Sequence, residues 1–85
     1  MADILKYKTV TGADGNSSVA VGVNRIQILK VSRQGEQKDY AGFVAVGLLD
    51  GSNWTFLPVG RRISFGTSFP FVGSEVIDII YKVTI

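Results

Sequence analysis

Residues 75–85 carry the clearest pattern in the chain. Ile77, Ile79, Tyr81, Val83 and Ile85 recur at every second position, with Val76, Asp78, Ile80, Lys82 and Thr84 between them. Side chains alternate between the two faces of a strand, so one face is apolar throughout and the other is mixed. Almost every residue is β-branched or aromatic, which suits a pleated, half-buried surface. At ~3.3 Å per residue the stretch reaches ~36 Å, whereas a domain of this length has a radius of gyration of only ~12 Å. Such a strand is expected to be central, or to extend past the domain and meet a partner.

The same alternation marks further strands. Residues 3–10 place Leu5, Tyr7 and Thr9 on one face and Ile4, Lys6, Lys8 and Val10 on the other. Two lysines on one face suit a sheet edge. Residues 11–18 are rich in turn formers. Val19, Val21 and Val23 alternate with Ala20 and Gly22, and predict a strand with one bulky and one nearly bare face. Residues 25–32 resume as a strand with Ile26 and Ile28 on one face, then Leu29 and Val31 on the other. A β-bulge produces that change of parity, as does burial of both faces.

Residues 32–39 are the most polar segment and predict a solvated loop or hairpin tip around Gly35. Residues 40–49 are apolar on both faces and predict an interior strand. Asp50-Gly51 between two apolar runs marks a hairpin. Residues 54–59 form the returning strand, with Trp54 and Phe56 on one face and Pro58 closing it, because proline donates nothing to a ladder. Ile63-Ser64-Phe65 is a short strand, and residues 66–74 lead to the last one. No helical period runs for ten residues. The expected fold is therefore all-β: one domain, residues 1–85, folded as a small antiparallel sandwich (jelly-roll-like) or barrel of about seven strands.

Composition changes this picture in one respect. An 85-residue chain has a small core, yet 46% of its residues are hydrophobic. Some of that apolar surface is expected to be buried against another chain. A homo-oligomer follows, with a trimer favoured.

Charge and chemistry mostly exclude. The net charge of +2 predicts no nucleic-acid binding at physiological salt. The chain has no cysteine and no histidine. It thus lacks a disulfide framework, a thiolate nucleophile and the side chain best suited to proton transfer near neutral pH. No apolar run is long enough for a membrane helix, and the first residues carry no secretion signal, so no membrane association is expected. The carboxylates Asp3, Asp14, Glu36, Asp39, Asp50, Glu75 and Asp78 fall mainly in turns and at strand ends, and nothing singles out a catalytic pair. Asp14-Gly15-Asn16 opens like a calcium loop but lacks the later acidic ligands. The chain is read as a non-enzyme without metal, cofactor or small-molecule substrate. The alternative is a small β-barrel that binds single-stranded nucleic acid, with Arg61 and Arg62 beside Trp54, Phe65 and Phe69 as its groove. In small β domains such rings more often fill the core.

The last third of the chain carries a resemblance. Arg62-Ile63-Ser64-Phe65, then Phe69-Pro70-Phe71-Val72-Gly73-Ser74-Glu75-Val76, then Ile79-Ile80-Tyr81-Lys82 form a short strand ending in Phe, a connection with Pro and Gly-Ser-Glu, and a strand closing on Tyr-Lys. This resembles the end of small all-β domains in tailed-bacteriophage virion proteins: head fibres, decoration proteins and tail appendages. Residues 28–35 are similar to the strand and tip that come earlier in those domains. Together these cover about a third of the chain. The resemblance implies a structural role, symmetric assembly, binding to a larger capsid or tail protein, and location in the virion; without it the expected location is the cytoplasm. The expected contact residues are Trp54, Arg61, Arg62, Phe69, Phe71 and Tyr81.

Overall fold

The structure is a computed structural model and describes residues 2–84. It is all-β. Its strands are β1 (Asp3–Gly12), β2 (Ser18–Ala20), β3 (Ile28–Arg33), β4 (Glu36–Tyr40), β5 (Asn53–Leu57), β6 (Arg62–Ser64) and β7 (Glu75–Thr84). They form one sheet in the order β1-β7-β3-β4-β5-β6-β2. Every neighbouring pair is antiparallel except β4 and β5, which run parallel. The sheet curls into half a barrel. Lys8 closes the seam between its first and last strands, donating from Nζ to the Val21 carbonyl at 2.7 Å.

β7 is an interior strand, second from one edge, between β1 and β3. Ile77 and Ile79 are fully buried on its concave face, and Tyr81 packs against the core edge. Ile85 lies outside the described residues. β1 pairs with β7 over an unbroken register from Asp3↔Thr84 to Gly12↔Glu75. The valines 19, 21 and 23 are buried and their small neighbours exposed, as the alternation predicts. Trp54, Phe56, Ile63, Phe65 and Phe71 complete the core, with Phe65 and Phe71 packed edge to face at 6.0 Å. Gly12 allows that packing: a Cβ there would stand 2.5 Å from the Phe71 ring.

The parity change in β3 is a bulge. The register with β7 shifts between Ile28 and Lys30, so that Ile28 and Val31 both reach the core and Leu29 stays outside. The hairpin tip falls at Gln34-Gly35 as expected, but the polar residues after it are strand β4.

Four expectations are corrected. Residues 25–27 form a 3-10 turn, leaving Ile26 exposed, and residues 21–23 continue past the three-residue β2 without strand pairing. Residues 40–49 are not an interior strand, and Asp50-Gly51 does not join a hairpin. Because β4 and β5 are parallel, with Asp39↔Asn53 and Tyr40↔Trp54 opposite, the chain must travel back before it can pair again. Residues 41–52 make that return, with a single 3-10 turn at Val46–Leu48. Asp50-Gly51 is a turn into β5, in which Asp50 accepts hydrogen bonds from the Ser52 N–H and hydroxyl at 2.9 and 2.6 Å.

Candidate interaction surface

The return connection is where apolar residues leave the core. Gly42 lies in the left-handed region at φ +88°, a conformation open to glycine at little cost. Its carbonyl accepts a hydrogen bond from the Thr55 hydroxyl at 2.8 Å, and the neighbouring Ala41 N–H donates to the Trp54 carbonyl at 2.8 Å. The backbone is thereby pinned to β5 and the following residues turn outward. Phe43 is 89% exposed, and Val59, on the turn after β5, is 90% exposed. Between them is a shallow cavity of about 630 Å³ with almost wholly apolar walls, floored by Phe56 and rimmed by Val44, Val46 and Pro58. Leu49 anchors the far end of the connection in the interior.

The six residues expected at a contact surface divide sharply. Trp54 and Phe71 are 2% and 1% exposed and belong to the protein's own core, which corrects their assignment to a surface. Trp54 also donates from Nε1 to the Lys38 carbonyl and packs against Tyr40 at 4.7 Å. Tyr81 is half-buried, facing Ile28 and Lys6 across the ladders. Phe69 is 37% exposed and lies over Gly51. Arg62 is held by the Ser18 hydroxyl and carbonyl at 2.9 and 2.8 Å. Arg61 is exposed, in a turn closed by its N–H to the Pro58 carbonyl. With Trp54 and Phe65 buried, the arginine pair has no row of open rings beside it, and such a row is what base stacking requires.

Sequence reasoning missed Phe43 and Val59. Their apolar character was visible, but an apolar run that is a crossover looks like one that is a buried strand. It also missed Arg33. This guanidinium holds Glu75 through Nε and Nη2, both at 2.8 Å, and donates to the Phe69 and Pro70 carbonyls at 2.9 and 3.0 Å. Its flat face lies 4.9 Å from the Phe71 ring centroid. Those hydrogen bonds from Arg33 hold the Glu75 carboxyl below its ordinary range.

Among the described residues, five of the other six carboxylates also accept hydrogen bonds, Asp39 being the exception. Thr9 donates to Asp78, Thr84 to Asp3, the Gly73 N–H to Asp14, and Lys38 to Glu36. The Ser52 bonds lower the Asp50 carboxyl in the same way. No group of three or more metal-ligating side chains occurs among the described residues. No helix among them is long and apolar enough to cross a membrane.

No protein-family model matches this chain, and no curated protein or solved structure matches it either.

Proposed function

We propose that the protein is a non-catalytic assembly module: a virion component of a tailed phage that binds copies of itself and seats on a larger capsid or tail protein. The observation that carries this reading is the apolar end of the molecule. Phe43 and Val59 stand almost fully exposed around an apolar cavity, although a buried core was within reach for residues of their type. Large exposed aromatics rimmed by aliphatic side chains are the usual anchors of protein contacts. The polar residues support the same reading from the other side. Six of the seven carboxylates, all but Asp39, are committed to turns, ladders and the Arg33 and Lys38 pairs, which leaves them local structural work. The resemblance of residues 62–82 to virion domains supplies the setting.

The test is incorporation into particles. Phe43→Ser combined with Val59→Ser should fold with an unchanged melting temperature, because both positions are solvent-exposed. It should then be lost from purified particles that contain the wild-type chain in a fixed copy number. Equal incorporation of the variant, or absence of the wild type from particles, would overturn the reading.

A further inference from the structure

The convex face of the sheet carries a second hollow, where β7 lies in register with β1 and β3. Residues directly opposite on paired strands share a face. Tyr7, Ile80 and Lys30 therefore form one row across the three strands, and Thr9, Asp78 and Ser32 form the next. These six side chains surround a depression of about 260 Å³. Ile80, half-buried, is its floor. Tyr7 stands on one side, 75% exposed, and Lys30 on the other.

The polar groups here are only partly spent. Thr9 donates to Asp78 Oδ1 at 2.8 Å, which orients the carboxylate. That bond uses one oxygen. Among the described residues, Asp78 Oδ2, the Ser32 hydroxyl and the Lys30 ammonium have no protein partner. The cations Lys8, Lys38 and Arg62, by contrast, are each tied to a protein acceptor.

We propose that this depression binds a single hexopyranose unit, with the apolar C–H face of the sugar on Tyr7 and Ile80 and its hydroxyls on Asp78, Ser32 and Lys30. The site goes beyond the assembly reading and does not depend on it. Small-ligand sites combine apolar walls with a few placed polar groups, and the polar groups here select the ligand. An ionised carboxylate only accepts, an ammonium only donates, and a hydroxyl does both. Neighbouring groups of all three kinds match a ligand whose own groups both donate and accept, as sugar hydroxyls do. Lys30 and Asp78 cancel in charge, so the depression draws neither a cation nor an anion. Its floor adds no backbone donors, because β7 spends its N–H groups in ladders on both sides. A phosphate or an amino-acid carboxylate would meet one ammonium beside a carboxylate, a poor substitute for several charge-assisted bonds. The exposed ring of Tyr7 supplies a flat apolar surface for the C–H groups. Asp78 is the single carboxylate lining the depression, whereas glycoside hydrolysis uses a pair, so the sugar is held and not cleaved.

Titrations followed by amide chemical shifts test the site. The probes are the methyl glycosides of glucose, galactose, mannose and N-acetylglucosamine, with glycine and inorganic phosphate as controls. At least one glycoside should give saturable shifts at residues 7–9, 30–32 and 78–80, with a Kd on the order of 1 mM. Tyr7→Ala and Asp78→Asn should each weaken binding about tenfold, with an unchanged melting temperature because both side chains are exposed. Leu5→Ala, on the same face but outside the depression, should bind as the wild type does. Absence of a saturable shift with all four glycosides would overturn the proposal. So would a shift that survives Tyr7→Ala, or one that glycine or phosphate reproduces at the same residues.

Discussion

The two halves of β7 share one sequence pattern and have different fates. Ile77 and Ile79 are fully buried, between Val10 and Lys8 of β1 on one side and Arg33 and Val31 of β3 on the other. Tyr81 and Val83 continue the alternation on the same face, yet both keep solvent exposure, because β3 ends its pairing at Ile28↔Tyr81. Alternation therefore identifies a face that wants covering. What covers it depends on how far the neighbouring strands reach, and that is a property of the whole sheet.

The largest effect should separate the halves directly. Ile79→Ala opens a cavity under the centre of the sheet and should cost ~2–5 kcal/mol. Val83→Ala removes a side chain that one flanking strand covers, and should cost less than ~1.5 kcal/mol in the monomer. Urea denaturation of both variants makes the comparison. Equal losses would mean that the far half of β7 is core after all.

Arg33→Ala tests what fastens the buried half in place. The pair with Glu75 is nearly buried, its side chains 13% and 12% exposed, and the guanidinium also holds two carbonyls of the residue 66–74 connection. Removing it leaves a carboxylate without its counter-charge and should cost about 3 kcal/mol. A loss below ~1 kcal/mol would place the pair with ordinary surface ion pairs.

Acid should loosen the same end. The folded Glu75 carboxyl titrates below its ordinary value of 4.5, so its stabilisation is fully present above that pH. It is lost as pH falls through the lower folded value. The melting temperature should hold steady from pH 7 to about 5 and then fall, and the fall should be shallower in Glu75→Gln. An identical acid limb in the variant would assign the effect to other carboxylates. The smallest effect belongs to Lys82→Ala, on the convex face, which should change stability by no more than ~0.5 kcal/mol.

What the sequence made legible was local. The alternation in β7, the parity break at Leu29 and the tip at Gly35 are each readable within a few residues, and each is present in the fold. What it hid depends on distant pairings. Residues 40–49 become a crossover only because Asp39 sits beside Asn53 in a parallel pair, and periodicity carries no sign of strand direction. Arg33 and Glu75 are 42 positions apart, so nothing near either residue announces the pair. Trp54 and Phe71 fit a contact surface as well as a core by residue type, because aromatic rings serve both. Residue type alone does not separate the two uses, whereas the curl of the sheet does.

The ladder between β1 and β7 also constrains when the fold can form. Its rungs join residues up to 81 positions apart, as the Thr84–Asp3 hydrogen bond does, and β3 too awaits β7. A nascent chain that has grown only to Ser74 has β3 and β4 able to pair, but β1 has no neighbour and Val31 no lid. Folding must close long loops before the two ladders of β7 return any free energy, which puts the domain among the slow, non-local topologies that fold in milliseconds to seconds. During synthesis the open edge of β1 stands exposed from the beginning, and the lysines at 6 and 8 guard it until the last strand arrives.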